Sequence, residues 1–337
     1  MTTDLSATYL GLPLRNPIIA SASPLTSTVE GIRAIEDAGA GAVVMPSLYE
    51  EQICAEDTAY AMYTDHGSYS QYEAGSYFPR LHDYDSGVSG HLDTLRRAVA
   101  AVDIPVVASL NAVTQEGWTD YAVKLERAGA AALELNLHFI PADLTLSGQD
   151  VEARYVDAVR AVKGAVKVPV AVKLSPYFSS FGHMAQRLVA AGADGLVLFN
   201  RFYQPDFDLA TLSPKSTLKL STSHETGPSL LWICMLNGRI DASLAATSGV
   251  ETAEEVIKYL LVGADAVMTT SALLRNGPGY IRDLLAGLGA WLGENGHASV
   301  SDIRGRKSLE QEDNVSELLR AQYMHLLTGY VPTRLVA

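Results

Sequence analysis

Eight times along the chain a short apolar run gives way to a stretch with helical spacing, and that beat leaves few folds open. The runs cover residues 17–20, 42–45, 105–109, 132–136, 170–173, 195–200, 243–246 and 264–268. Several of the intervening amphipathic segments stop at a glycine: 29–38 before Gly39, 115–128 before Gly129 and 181–191 before Gly192. Glycine is favoured there because the residue that ends a helix often takes a left-handed conformation. Short apolar runs separated by helices pair as parallel strands. Eight of them predict an α/β fold, a (β/α)8 TIM barrel. Ahead of the first run, residues 7–14 turn at Gly11 and predict an N-terminal hairpin that caps the barrel bottom.

Two long loop insertions interrupt the beat, both expected at the C-terminal face. Residues 46–90 are rich in Tyr, Ser and Asp; their aromatics (Tyr60, Tyr63, Tyr69, Tyr72, Tyr77, Phe78) fit an active-site cover or a subunit contact. Residues 201–228 contain 217–221, which alternate as an exposed hairpin strand would. No linker marks a second domain, and α/β barrels commonly reach 337 residues as one unit, so a single domain over 1–337 is expected.

Composition excludes more than it identifies. A formal charge of −13 speaks against a nucleic-acid partner, because phosphate contacts need a basic face. Two cysteines, Cys54 and Cys234, are too few for a disulfide framework or a cysteine-rich metal site. No metal-ligand, P-loop or dinucleotide-binding motif is present. No signal-like start and no apolar run long enough for a bilayer occur, so a cytoplasmic protein without a membrane partner is expected.

The chemistry concentrates where two runs end. The fourth delivers Asn136 and the fifth Lys173, an amide and an ammonium on neighbouring strands at the rim where barrels of this kind do their chemistry. Lys173 fits a Schiff-base former, a phosphate ligand, or a cation beside a flavin's N1/C2 edge. Its bland alternative is a buried ion pair with Glu134 or Asp194. Asn200 ends the sixth run, and with Asn136 it can clamp a planar, imide-like substrate or simply cap turns. His138, just beyond Asn136, is the acid–base candidate in the mouth, weighed against an ordinary surface histidine. The loops 246–250 and 269–272 are small and hydroxyl-rich, and they follow the seventh and eighth strands, where barrels often seat a phosphate. Plain helix capping is the alternative there.

These residues resemble a family. Asn16-Pro17 with Ala20-Ser21-Ala22, Glu134-Leu135-Asn136-Leu137, Val172-Lys173-Leu174-Ser175-Pro176, Asn200, Ser248-Gly249-Val250-Glu251-Thr252 and Thr270-Ser271-Ala272-Leu273 before Gly277-Pro278 resemble the dihydroorotate dehydrogenase family, in order along nearly the whole chain. The resemblance implies FMN at the strand C-termini. Lys173 would face the isoalloxazine, and Ala20 and Ser21 would touch the ring. Asn111 and Asn136 would belong to the cofactor-binding set, and the backbones of Ser248, Gly249, Thr270 and Ser271 would bind the phosphate. Asn136 and Asn200 would contact the substrate. It also implies an oxidoreductase acting on CH–CH donors in pyrimidine biosynthesis. Hydride would pass between a small planar or unsaturated substrate, dihydroorotate among the candidates, and flavin N5. An electron acceptor of unspecified identity and a homodimer complete the expectation.

The departures are as informative. Where the family presents a Cys or Ser base, this chain has Phe139 or Ile140, and neither can take a proton. Met45-Pro46-Ser47 stands where the family's second strand ends in Lys, and Ser76-Tyr77-Phe78-Pro79 lies roughly where its Asn-Ser-Met-Gly-type substrate loop belongs. A base is typically worth about 10²–10⁴-fold in rate, so Ser109, His138 or a tyrosine would have to substitute. Two other readings stand beside this one: a flavin-free Schiff-base aldolase using Lys173, and a non-catalytic flavin-binding or scaffold protein.

Overall fold

A computed structural model describes residues 3–50, 88–112, 114–201, 205–214, 218–310 and 315–329. The chain opens with the expected hairpin, β1 (Ala7–Tyr9) against β2 (Leu12–Leu14). Leu10 and Gly11 link the strands with φ of 54° and 73°. Two successive left-handed residues give the tight reversal that matches strand twist.

Eight strands then close a parallel barrel in sequence order. They are β3 (Ile18–Ala20), β4 (Ala42–Tyr49), β5 (Val106–Asn111), β6 (Ala132–Asn136), β7 (Val170–Leu174), β8 (Gly195–Leu198), β11 (Ser243–Ala246) and β12 (Ala266–Thr269). β12 pairs back onto β3. Between β8 and β11 lies a two-stranded hairpin, β9 (Phe207–Asp208) with β10 (Ser213–Pro214). The described helices are α1 (Val29–Asp37), α2 (Val88–Val99), α3 (Gln115–Arg127), α4 (Gly148–Ala165), α5 (Phe181–Ala190), α6 (Gly227–Leu236), α7 (Ala253–Val262), α8 (Ser271–Asn276), α9 (Ile281–Glu294) and α10 (Val315–Gly329). Among the described residues no helix is long and apolar enough to cross a membrane.

Strand alternation divides the core in two. Outward positions such as Ile18, Val43, Leu133, Leu135, Val172 and Leu196 pack beneath the helices. Inward positions form a second cluster that includes Ile19, Val44, Val107 and Val197. Five of these inward residues are alanines, Ala42, Ala132, Ala171, Ala245 and Ala266, and they leave room for Tyr9, Leu10 and Leu14 of the hairpin. The hairpin thus plugs the barrel bottom, as its sequence predicts. Its seat is close: Leu10 donates its N–H to Ser243 Oγ at 3.0 Å, and a Cβ on Gly195 would meet Leu10 Cδ2 at 2.5 Å.

Two local expectations are corrected. The second strand does not stop at Met45 but runs to Tyr49, pairing Ser47 with Ser109, Leu48 with Leu110 and Tyr49 with Asn111. A register shift between Val44 and Ser47 places Pro46 at an irregularity, where its missing N–H costs the ladder nothing. In the second insertion the hairpin lies at 207–214 rather than 217–221, and residues 218–222 are not a strand. Thr217 and the aromatics Tyr60, Tyr63, Tyr69, Tyr72, Tyr77 and Phe78 lie outside the described residues.

Candidate functional site

Register brings the two key side chains together. Asn136 on β6 stands beside Lys173 on β7, and both fall on inward positions near the strand ends. Lys173 Nζ lies 3.4 Å from Glu134 Oε1, with side chains 12% and 1% exposed. The ammonium therefore has a buried carboxylate below it and the mouth above it. The ion pair offered as the bland alternative exists, and Lys173 still lines a cleft. Asp194, the other suggested partner, is engaged elsewhere: it pairs with Lys163 and accepts the Val170 N–H.

A chain of neutral hydrogen-bonding groups crosses the mouth. Asn200 Nδ2 donates to Asn136 Oδ1 at 2.7 Å, Asn136 Nδ2 reaches Ser47 Oγ at 3.4 Å, and Ser47 Oγ and Ser109 Oγ are 2.7 Å apart. The backbone fixes Asn200 in turn, because its N–H donates to Leu174 O at 2.7 Å. Ser47 owes its place to the extended β4, and Ser109 faces it from β5.

The cleft runs from Lys173 and Asn200 past Ser21 and Ala22 to Thr247–Val250 and Thr269–Ser271. It thus gathers Lys173, Asn200, Ser21, Ser248, Gly249, Thr270 and Ser271 of the sequence-predicted set. Ala20 is wholly buried and packs with the outer core, and Ala22 lines the cleft instead. Asn136 reaches the cleft through its bond to Asn200. Asn111 and His138 open on a neighbouring cavity shared with Trp118, Phe139, Arg154 and Tyr155, so the structure does not join His138 to Lys173 in one space. In that cavity the Arg154 guanidinium lies 5.0 Å from the Phe139 ring centre. Burial pulls the His138 pKa below its usual value.

The far end of the cleft is built by two loops and one residue that sequence reading missed. Ser248 and Gly249 both have left-handed backbones, with φ of 77° and 75°. That conformation is costly for serine, and such strain persists only where surrounding structure enforces it. Tyr259 OH donates to Ser248 O at 2.8 Å, and Ser248 Oγ donates to Phe199 O at 3.1 Å. The Gly249 N–H reaches Ser221 Oγ at 3.2 Å, and Ser221 donates from both its N–H and its hydroxyl to Ser271 Oγ, at 3.0 and 2.9 Å. A Cβ at Gly249 would meet Thr222 O at 2.9 Å. Arg275 ties the group down through Ser221 O at 2.8 Å and Glu251 at 2.9 Å. Ser221 sits at the end of the segment expected to be an exposed strand, so its alternation pointed the wrong way.

These residues fit FMN on their chemistry. Hydroxyls and the loop backbone stand at one end of the cleft, where a helix start also leaves N–H groups unshared. An ammonium and paired amides stand at the other, with Met268 and Ala22 between as apolar wall.

Comparison with known proteins agrees with this architecture. The sequence profile described as dihydroorotate dehydrogenase matches residues 4–292. A protein of Aeropyrum pernix assigned as dihydroorotate dehydrogenase A (fumarate) is 28% identical over 90% of this chain and 97% of its own length. The catalytic subunit of dihydroorotate dehydrogenase B (NAD(+)) from Methanothermobacter thermautotrophicus is 25% identical over 89% and 97%. The Escherichia coli NAD-dependent dihydropyrimidine dehydrogenase subunit PreA is 24% identical over 90% of this chain and 77% of its own.

Proposed function

This chain belongs to the dihydroorotate dehydrogenase family, and on that premise we propose that it is an FMN-dependent oxidoreductase acting on a small planar or unsaturated ring. The observation that carries the reading is one continuous cleft joining Lys173 and Asn200 to the loops after β11 and β12. Relatives named as dihydroorotate and dihydropyrimidine dehydrogenases support the oxidoreductase class.

Bound FMN supplies a hydride acceptor at N5. Lys173 holds a positive charge at the mouth, where it stabilises negative charge that develops during reduction. The hydroxyls of Ser221 and Ser271 and the backbone around Ser248, Gly249, Thr270 and Ser271 hold the phosphate. Asn136 and Asn200 orient the substrate. Their mutual bond uses one donor and one acceptor, and the remaining amide groups match the alternating N–H and C=O edge of a cyclic imide. His138 is the acid–base candidate: burial favours the neutral imidazole, the form that takes a proton, although it opens beside the cleft. A homodimer and an electron acceptor of unspecified identity complete the proposal, with pyrimidine metabolism as its setting.

Anaerobic addition of dihydroorotate, and separately of 5,6-dihydrouracil, to flavin-loaded protein tests the reading. Bleaching of the flavin by either, with turnover once an artificial acceptor is added, is the expected result. A flavin that stays oxidised with both would return the non-catalytic reading. A colourless protein that yields a borohydride-trapped Lys173 adduct would return the aldolase.

A further inference from the structure

Two deeply buried polar atoms inside the barrel have no hydrogen-bond partner among the described residues: Glu134 Oε2 and the Tyr9 phenol oxygen. Glu134 is 1% exposed and Tyr9 2%. Buried polar atoms are nearly always satisfied, by protein or by ordered water, so a pair of bare ones in one barrel interior asks for a common explanation.

Both groups belong to the barrel interior. Alternation along β6 sets Glu134 inward between Ala132, in the alanine-rich floor, and Asn136 at the mouth. Tyr9 rises into that floor from the hairpin and belongs to the same buried cluster as Ala132 and Ala171. Burial chiefly, and then the charges of Glu134 and Asp265, push the Tyr9 pKa well up, so the phenol is a neutral donor close to carboxylates. Asp265 is already engaged, by the Leu244 N–H at 2.7 Å and Arg304 at 2.6 Å. Glu134 has one oxygen on Lys173 and one to spare. Buried water commonly satisfies such otherwise unpartnered polar atoms in a protein interior.

We propose that Glu134 positions the Lys173 ammonium, and that its second oxygen is tied through buried water to the Tyr9 phenol, so that the N-terminal hairpin helps fix the charge at the mouth. A lysine stem is long and flexible. A carboxylate locked at both oxygens holds its ammonium in one place, whereas one locked at a single oxygen lets both swing. The phenol–water bond also draws part of the carboxylate's charge away from Lys173. The consequence for redox chemistry rests on the FMN reading of the cleft, but the tie itself does not.

Pulsed acylation of the full-length protein at alkaline pH, read by mass spectrometry, reports Lys173 directly, with Lys163 as the internal reference. In Glu134→Gln the ammonium loses its carboxylate, and Lys173 should acylate about tenfold faster. In Tyr9→Phe the carboxylate's full charge turns to the ammonium, and acylation should slow. Simple loosening of the barrel would speed both, so opposite signs are the signature. In flavin-loaded protein the reduction potential should rise in Glu134→Gln and fall in Tyr9→Phe. A high-resolution structure of the unaltered protein should show ordered water bonded to both Tyr9 and Glu134, which stands even where Glu134→Gln does not fold. Unchanged Lys173 acylation in folded Glu134→Gln overturns the positioning role. A dry interior, or Tyr9→Phe acylating like the parent, overturns the tie. Failure of the FMN reading looks different: the protein binds no flavin while the acylation shifts persist.

Discussion

Replacing Lys173 by Met should cost more stability than replacing Glu134 by Gln, and combining Lys173→Met with Glu134→Leu should restore most of the loss. Lys173→Met strands a carboxylate that is 1% exposed, with one oxygen already unpartnered. Glu134→Gln strands an ammonium that is 12% exposed and can lean toward the mouth. Removing one partner of a buried pair typically costs about 3–5 kcal/mol, whereas exchanging both for apolar groups of like volume is often neutral. At about 2.1 cal/mol/K per residue, 337 residues unfold with an entropy near 0.7 kcal/mol/K, so that loss lowers the melting temperature by about 4–7 °C. Differential scanning calorimetry of the three variants and the parent reads the cycle. A Lys173→Met shift below about 1.5 °C, or a double variant as unstable as the sum of the singles, would refute the picture of a desolvated, mutually dependent pair.

Further predictions concern the hairpin, the buried imidazoles and the amide clamp. Gly195→Ala drives a methyl against Leu10 Cδ2 and Ser243 O, at 2.5 and 3.1 Å, and should cost about 1–3 kcal/mol in calorimetry by unseating the hairpin. Burial lowers the pKa of His91 and His138, so the folded state binds fewer protons. Their contribution is intact above the ordinary imidazole value of about 6.5 and is lost as pH falls below it. His91→Asn should flatten the acid side of a plot of melting temperature against pH. Asn200→Ala removes the donor to Asn136 Oδ1 and should lower kcat/KM about tenfold or more, one lost hydrogen bond at the reacting ring, while flavin fluorescence reports unchanged FMN affinity.

Period and spacing made the frame legible. Eight apolar runs became eight strands, and the residue count between Asn136 and Lys173 allowed one crossover helix and hence adjacency. What failed to show in the sequence were the places where period gives out. Pro46 reads as a strand end, but an irregular register lets β4 continue and bring Ser47 to Asn136. Past the end of β6 alternation no longer fixes direction, so His138, which looks like a mouth residue in sequence, opens on a separate cavity, as does Asn111 at the very end of β5. Ser221 lies in an irregular segment whose course depends on contacts with Gly249, Ser271 and Arg275, all distant in sequence. That the loops after β11 and β12 line one cleft with Lys173 followed from strand count, because barrels of this kind place their functional loops at the strand C-termini.

The bound small molecules of freshly purified protein, identified by native and denaturing mass spectrometry with an absorbance spectrum, test the central claim most directly. One FMN per chain in a yellow protein, released on denaturation and weakened in Lys173→Met, is the predicted result. A colourless protein that takes up no added FMN, with its melting temperature unmoved by the nucleotide, would contradict it.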